Sequence, residues 1–172
     1  MADNLKNFKR KRLPEWLKTP LPKKNNFFRL KSLVQKFNLN TVCESASCPN
    51  IGTCWDAGTL TFMILGDSCS RACKFCDVAT GNLIPPNPHE PRIIAETLSK
   101  LNLRYAVITS VDRDDLIDGG AEHWIKTIQN IRIHCPEIKI ETLIPDFQGK
   151  MSLVDKICEA QPDVLAHNLE TV

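Results

Sequence analysis

The sequence has no long apolar run. Nowhere does it approach the roughly 18 successive apolar residues that a membrane-spanning helix needs, so we expect no membrane span. Its N-terminal residues also lack the apolar core of a secretion signal, and we therefore expect a cytoplasmic protein whose thiols stay reduced. In that setting the eight cysteines are more typical of metal binding than of disulfides.

The chain is also short and unevenly charged. Its 172 residues allow one domain with a hydrophobic core, but a complete eight-fold barrel takes about 250 residues. The net charge is +2, yet residues 1–36 carry +9 and the remainder −7. A basic segment of this kind indicates a solvated arm, with binding of nucleic acid or of an acidic partner as the alternatives. We predict such an arm over residues 1–26 and do not interpret it as a transit peptide, because it is rich in lysine rather than in arginine and serine.

Three cysteines follow an apolar run directly. Cys69, Cys73 and Cys76 have the spacing C-x3-C-x2-C and come after residues 61–65, which we predict as a strand. A loop at the end of this strand can turn all three sulfurs toward one centre. A structural zinc site needs four closed ligands, usually in two pairs, and no partner pair occurs at that spacing. Three thiolates on a 4Fe-4S cluster would leave one iron open. We therefore predict an iron-sulfur cluster, with a zinc knuckle as the alternative.

A second cysteine trio precedes the first. Cys43, Cys48 and Cys54 have the spacing C-x4-C-x5-C, which taken alone is also compatible with zinc or a disulfide. Residues 43–58 are rich in Ser, Asn, Pro and Gly. We therefore predict a loop that lacks packing of its own and is held by a metal, preceded by a short amphipathic helix over residues 27–37.

The rest of the chain alternates between helical and strand patterns. Helices are predicted over 93–101, 121–133 and 153–160, and strands over 105–110, 138–143 and 164–167. With the strand at 61–65 this gives four βα units around a parallel sheet. Polar clusters follow the strands at residues 69–76, 109–115, 146 and 167–170, so they should meet at one mouth. Cys135 and Cys158 stand alone in helical surroundings and are predicted to be small core residues.

The cysteine spacing resembles that of known enzymes. C-x3-C-x2-C with Phe75 before the last cysteine is similar to the radical S-adenosylmethionine superfamily. The two trios together resemble the lipoyl synthase family. The resemblance continues through residues 109–116 (TSVDRDDL), 118–121 (DGGA), 141–147 (ETLIPDF) and 167–172 (HNLETV), and it covers about residues 13–172. It implies an α/β fold: a partial (β/α) radical-SAM barrel over residues 58–172, with about four βα units, and a cluster-binding extension over residues 1–57.

The resemblance also implies cofactors and their ligands. The catalytic 4Fe-4S cluster would be held by Cys69, Cys73 and Cys76, and an auxiliary 4Fe-4S cluster by Cys43, Cys48 and Cys54. S-adenosylmethionine would bind the open iron of the first cluster. Its other contacts are expected at Phe75, Asp77, Thr109, Ser110, Gly119, Gly120, Asn168 and Glu170, with Asp77 acting through its backbone.

The activity implied is that of a sulfurtransferase. The family inserts two sulfur atoms at C6 and C8 of an octanoyl chain bound to a carrier protein, which is the glycine cleavage H protein or a 2-oxoacid dehydrogenase E2 domain. A ferredoxin or flavodoxin as reductant and an iron-sulfur carrier are further expected partners, and neither nucleic acid nor a membrane is. In the family a serine from a C-terminal Arg-Ser-Ser stretch completes the auxiliary cluster. This sequence has no such stretch, so we expect a C-terminally truncated fragment that is inactive alone.

One alternative belongs to a different class of protein. A zinc-binding module that uses its basic arm on nucleic acid would also be rich in cysteine and lysine. It is disfavoured by the absence of paired C-x2-C sites.

Overall fold

The computed structural model describes Pro14, Glu15, Lys18, Pro22 and residues 25–101 and 103–169. Most of the predicted basic arm, and the predicted cofactor contact Glu170, lie outside these residues. Within the described part of the chain, no helix is long and apolar enough to cross a membrane.

The described residues form six α-helices and six strands. The helices are α1 (Asn25–Lys36), α2 (Val42–Ser45), α3 (Ile51–Asp56), α4 (Glu90–Leu101), α5 (Ala121–His134) and α6 (Met151–Glu159). The strands are β1 (Thr61–Ile64), β2 (Ser68–Cys69), β3 (Ala79–Thr80), β4 (Tyr105–Ser110), β5 (Lys139–Leu143) and β6 (Val164–Ala166), and a 3-10 turn spans Phe147–Gly149. Every predicted helix and strand is confirmed, with ends that shift by three residues or fewer.

The main sheet confirms the predicted α/β architecture. Its order is β1-β4-β5-β6, and all three pairings are parallel. Helices α4, α5 and α6 connect these strands and pack against one another in sequence. Apolar side chains from both layers, such as Ile108, Ile140, Trp124 and Ile128, are fully buried between sheet and helices. At the β6 edge, Val164 and Leu165 are each about 40% exposed.

The N-terminal extension covers the opposite edge of the sheet. Thr41 forms an antiparallel bridge with Phe62 of β1, and the Met63 amide donates to the Asn40 carbonyl at 2.9 Å. Leu30 of α1 and Trp55 of α3 are fully buried in the same apolar cluster as β1. The extension and the sheet share one apolar core, so the packing does not mark a domain boundary at residue 57. That boundary stays a prediction.

The expectation that residues 43–58 lack packing of their own is wrong. Helices α2 and α3 form there, and Trp55 packs on Phe27 of α1 with ring centroids 5.5 Å apart. The Asn26 amide donates to the carbonyls of Trp55 and Asp56, both at 3.3 Å. At the start of α2, Thr41 Oγ1 accepts from the Glu44 amide at 3.3 Å. This T-x-x-E capping box was the sequence signal for a helix start, but the surrounding Ser, Asn and Pro residues obscured it.

Candidate functional site

A cavity of about 500 Å³ opens at the C-terminal ends of the parallel strands. Its lining comes from the cysteine loop after β1 and from the residues that follow β4, β5 and β6, as the strand order predicts. The predicted site residues that line it are Cys69, Cys73, Phe75, Cys76, Thr109, Ser110 and Asn168. The predicted site residues that do not line it are Asp77, Gly119, Gly120, Cys43, Cys48 and Cys54.

The cysteine loop is closed at its base by two short strands. Ser68 and Cys69 of β2 pair in parallel with Ala79 and Thr80 of β3. Cys69 is half-buried at this base, whereas Cys73 and Cys76 are exposed farther along the loop. The Cys76 amide donates to the Cys73 carbonyl at 3.0 Å, a tight turn that keeps these two residues close.

Arg71, which lies between the first two cysteines, is a site residue that no pattern in the sequence marked. Its guanidinium pairs with Asp114, Nε to Oδ2 at 2.7 Å, and with Asp146, Nη2 to Oδ1 at 2.7 Å. A longer contact of 3.6 Å reaches Asp112. Arg71 thus ties the cysteine loop to the loops after β4 and β5. Two-pronged arginine–carboxylate pairs of this kind fix orientation as well as distance.

These carboxylates differ in their acidity. The Arg71 guanidinium lowers the pKa of Asp146 to about 2 and also lowers the pKa of Asp114. Burial instead raises the pKa of Asp112, against the attraction of Arg71. Asp112 Oδ2 lies 3.8 Å from Cys69 Sγ. The pKa of Cys69 is itself raised, mainly by burial.

The second cysteine trio lies in the N-terminal extension. Cys43 is buried in α2, Cys54 belongs to α3, and Cys48 lies between the two helices. The Cys48 amide donates to the Cys43 carbonyl at 3.1 Å. The pKa of Cys54 is raised by burial and then by the charges of Cys43 and Cys48, which indicates that the three thiols share one neighbourhood.

The loops that carry the two trios are joined by a hydrogen bond. Ser47, next to Cys48, donates its hydroxyl to Asp77 Oδ2 at 2.6 Å, and Asp77 follows Cys76. Ser47 adopts a left-handed backbone with φ 48°. One hydrogen bond therefore joins the loops that carry the two sets of cysteines.

The remaining predicted cofactor contacts differ in their partners. Thr109 Oγ1 donates to the Leu143 carbonyl at 3.1 Å. Ser110 Oγ is buried beside the cavity without a hydrogen-bond partner among the described residues, and Phe75 is 61% exposed. Gly119 and Gly120 instead contact Phe147 and Leu65: a Cβ at Gly120 would lie 2.4 Å from Leu65 Cδ1. Their contact with a cofactor stays a prediction.

The isolated cysteines are only partly as predicted. Cys135 is half-buried at the end of α5, but Cys158 is exposed, so its prediction as a core residue is wrong. It lies on the outer side of α6, whose buried face is formed by Leu153 and Ile157.

The donor set fits a cluster with one open iron. Three free thiols line one cavity, and the unpartnered Ser110 hydroxyl lies beside them. In the part of the chain that the structure describes, no three Cys, His, Asp or Glu side chains are arranged to hold a single metal ion.

Comparison with known proteins agrees with this geometry. Residues 63–172 match the family model of the Radical SAM superfamily. Because this match covers more than half of the chain, the chain belongs to the Radical SAM superfamily.

A second match identifies the branch that the chain resembles. Residues 2–48 match the N-terminal domain of lipoyl synthase. A lipoyl synthase of Natronomonas pharaonis is 53% identical over 167 residues, which cover 95% of this chain and 54% of the relative. A lipoyl synthase of Bacteroides fragilis is 50% identical over 166 residues, which cover 96% and 58%. The chain thus spans about half the length of the curated relatives it matches.

Proposed function

We propose that this chain carries the radical-generating site and the auxiliary cluster site of a lipoyl synthase. The observation that carries the proposal is the hydrogen bond between Ser47 and Asp77, which joins the loops that carry the two cysteine trios. A radical SAM enzyme with a single cluster would need only the first trio. The second trio, in the adjoining loop, would hold a second metal centre.

At the first site, different residues would bind the cluster and S-adenosylmethionine. The thiolates of Cys69, Cys73 and Cys76 would hold a 4Fe-4S cluster with one iron left for the amino and carboxylate groups of S-adenosylmethionine. When bound, that pair supplies a carbon radical able to remove hydrogen from an unactivated carbon. Ser110 and Asn168 offer hydrogen-bonding groups at the cavity wall.

The second site and the cavity lining fit the expected substrate. Cys43, Cys48 and Cys54 would hold the auxiliary 4Fe-4S cluster, the source of the two sulfur atoms inserted at C6 and C8. Apolar side chains that line the cavity, among them Met63 and Leu143, suit the methylene chain of an octanoyl group.

The proposed partners follow from the same activity. They are an octanoylated H protein or E2 domain as substrate, a ferredoxin or flavodoxin as reductant and an iron-sulfur carrier as cluster donor, all in the cytoplasm. The excess of basic residues in the N-terminal arm would attract an acidic carrier surface over about 10 Å at 0.1 M salt.

The test separates the two sites. The 172-residue chain is purified without oxygen, loaded with iron and sulfide, and compared with Cys73→Ala, Cys48→Ala and the control Cys158→Ala. We expect Cys73→Ala to abolish cleavage of S-adenosylmethionine while iron at the other site remains. Cys48→Ala should retain cleavage, and Cys158→Ala should match the parent chain.

Two results would count against the proposal. Loss of all iron in Cys73→Ala would indicate one shared site, and a colourless protein that binds zinc instead of iron would remove the cluster altogether. Adding octanoylated carrier peptide to the same samples measures whether residues 1–172 alone form a lipoyl product.

A further inference from the structure

Leu65 has an unusual backbone at the end of β1, four residues before Cys69. It is 1% exposed and adopts a left-handed conformation with φ 70°, which is costly for a branched residue. Both of its backbone polar groups are bound by charged side chains. The amide donates to Glu90 Oε2 at 2.8 Å, and the carbonyl accepts from Arg113 Nη1 at 3.1 Å.

Arg113 is held rigidly for this contact. Its side chain is 3% exposed and forms a two-pronged pair with Asp115, with both N–O distances at 2.8 Å. On the other side of Leu65, Glu90 Oε2 also lies 2.7 Å from His123 Nε2. A buried arginine this well paired is costly to disturb, because removing it leaves a carbonyl and a carboxylate without their donor.

The 111–115 loop, which contains Arg113, also forms hydrogen bonds with Ser70, on the far side of Cys69 from Leu65. Its Asp112 carbonyl accepts from the Ser70 amide at 2.9 Å, and its Asp114 amide donates to Ser70 Oγ at 3.0 Å. The Asp114 carboxylate adds the pair with Arg71. The loop therefore contacts the chain on both sides of Cys69, at Leu65 and at residues 70–71.

The other two cysteines of the trio are held differently. Cys73 and Cys76 are exposed, and the hydrogen bond between them lies within the cysteine loop itself. Of the three cysteines, Cys69 is the one that has contacts with the 111–115 loop on both sides of it along the chain.

We propose that the 111–115 loop is a template that fixes Cys69 in the metal-free chain, with Arg113 as the positioning residue, so that Cys73 and Cys76 close on a ligand already in place. The inference rests on the proposed role of Cys69 as a cluster ligand. In this proposal the Asp-rich residues after β4 have a structural role that requires no contact with the cofactor.

The experiment follows thiol alkylation in the reduced, metal-free 172-residue chain by iodoacetamide and peptide mass spectrometry. In the parent chain Cys69 should react more slowly than Cys73 and Cys76. Arg113→Gln should raise the Cys69 rate about tenfold, the factor expected when a buried charge-assisted hydrogen bond is lost. Half-buried Cys135 in the same molecules reports global loosening and should keep its rate.

Arg132→Gln is the matched control. Arg132 likewise pairs with a carboxylate, Asp163 at 2.6 Å, and donates to a carbonyl, that of Ile138 at 2.9 Å, but it lies at the other end of the sheet. We expect it to leave Cys69 unchanged. Where Arg113→Gln does not fold, Asp115→Asn removes one anchor of the arginine and should raise the Cys69 rate about threefold.

An unchanged Cys69 rate in both variants would overturn the template, as would a parallel rise at Cys135, which would indicate a general loss of stability. These readouts need no iron. Failure of the chain to bind a cluster would therefore count against the proposed function and leave the alkylation result standing.

Discussion

Gly120 offers the sharpest test of how the strand end before the cysteine loop is built. It has φ +86° and lies against Leu65: a Cβ there would come within 2.4 Å of Leu65 Cδ1 and 3.1 Å of Cδ2. Because Leu65 is 1% exposed, its side chain cannot swing into solvent to make room. We expect Gly120→Ala to destabilise the metal-free chain.

The expected cost has two parts. A left-handed backbone costs a non-glycine residue about 1–2 kcal/mol. Forcing an extra methyl group into a packed site adds about 1–3 kcal/mol. The sum, about 2–5 kcal/mol, is a large share of the roughly 5–15 kcal/mol that stabilises a typical domain.

Two further variants separate these parts. Gly149 has a similar φ of +75° with nothing within 4 Å of a built Cβ, so Gly149→Ala should show the backbone cost alone. Leu65→Ala removes the atoms that clash. The double variant Leu65→Ala with Gly120→Ala should therefore cost about 1–3 kcal/mol less than the two single changes together.

Urea unfolding, followed by tryptophan fluorescence, measures all four variants, because Trp55 and Trp124 are both fully buried. Additive effects, or a Gly120→Ala cost no larger than that of Gly149→Ala, would refute the packing argument. Weakened binding of S-adenosylmethionine in Gly120→Ala that Leu65→Ala does not relieve would instead support the cofactor contact predicted from the sequence.

Two other outcomes can be checked in the metal-free chain. The pKa of Asp146 is about 2, below its usual 3.8, because of Arg71, so ionised Asp146 stabilises the fold above the unfolded pKa and this contribution is lost as the pH falls from about 4 to about 2. Acid titration followed by circular dichroism should show a loss in this range that Asp146→Asn lacks; identical curves would contradict the ion pair. Trp55→Ala should cost about 3–5 kcal/mol in urea unfolding, because Trp55 is fully buried, whereas no cost would mean that α3 requires metal.

The sequence predicted the regular part of the fold well. The parallel strands and their connecting helices have strong apolar periodicity, and their order follows from the alternation of the two patterns. The structure of the N-terminal extension was harder to predict. Thr41 and Glu44 form a helix-start signature for α2, but the Ser, Asn and Pro content of the same stretch indicates a loop. Contacts with α1 hold α3 there: Trp55 packs on Phe27 across 28 residues, and the Asn26 side chain donates to the carbonyls of Trp55 and Asp56.

The candidate site shows the same division. The spacing of the cysteines identified the candidate thiol ligands, because thiols that bind one metal centre often lie a few residues apart in the sequence. The residues that hold the cysteine loop could not be identified in this way. Arg71 pairs with Asp114 and Asp146, which lie 43 and 75 positions away in the sequence. Gly120 belongs to a pair of glycines and Arg113 to a run of charged residues, and both features are visible in the sequence. Their contacts with Leu65 are not, because they depend on how the neighbouring strand ends meet in the fold.

The contact between Ser47 and Asp77 has a consequence for how the two sites relate. Each residue adjoins a cysteine, Cys48 or Cys76, so a shift of one cysteine loop is passed to the other through a single hydrogen bond. Such an exposed bond contributes only about 1 kcal/mol, too little to hold the loops together without the shared core beneath them. The shared apolar core, which includes Leu30 of α1, Trp55 of α3 and Phe62 of β1, therefore holds the extension to the sheet, and the hydrogen bond adds one direct link between the loops.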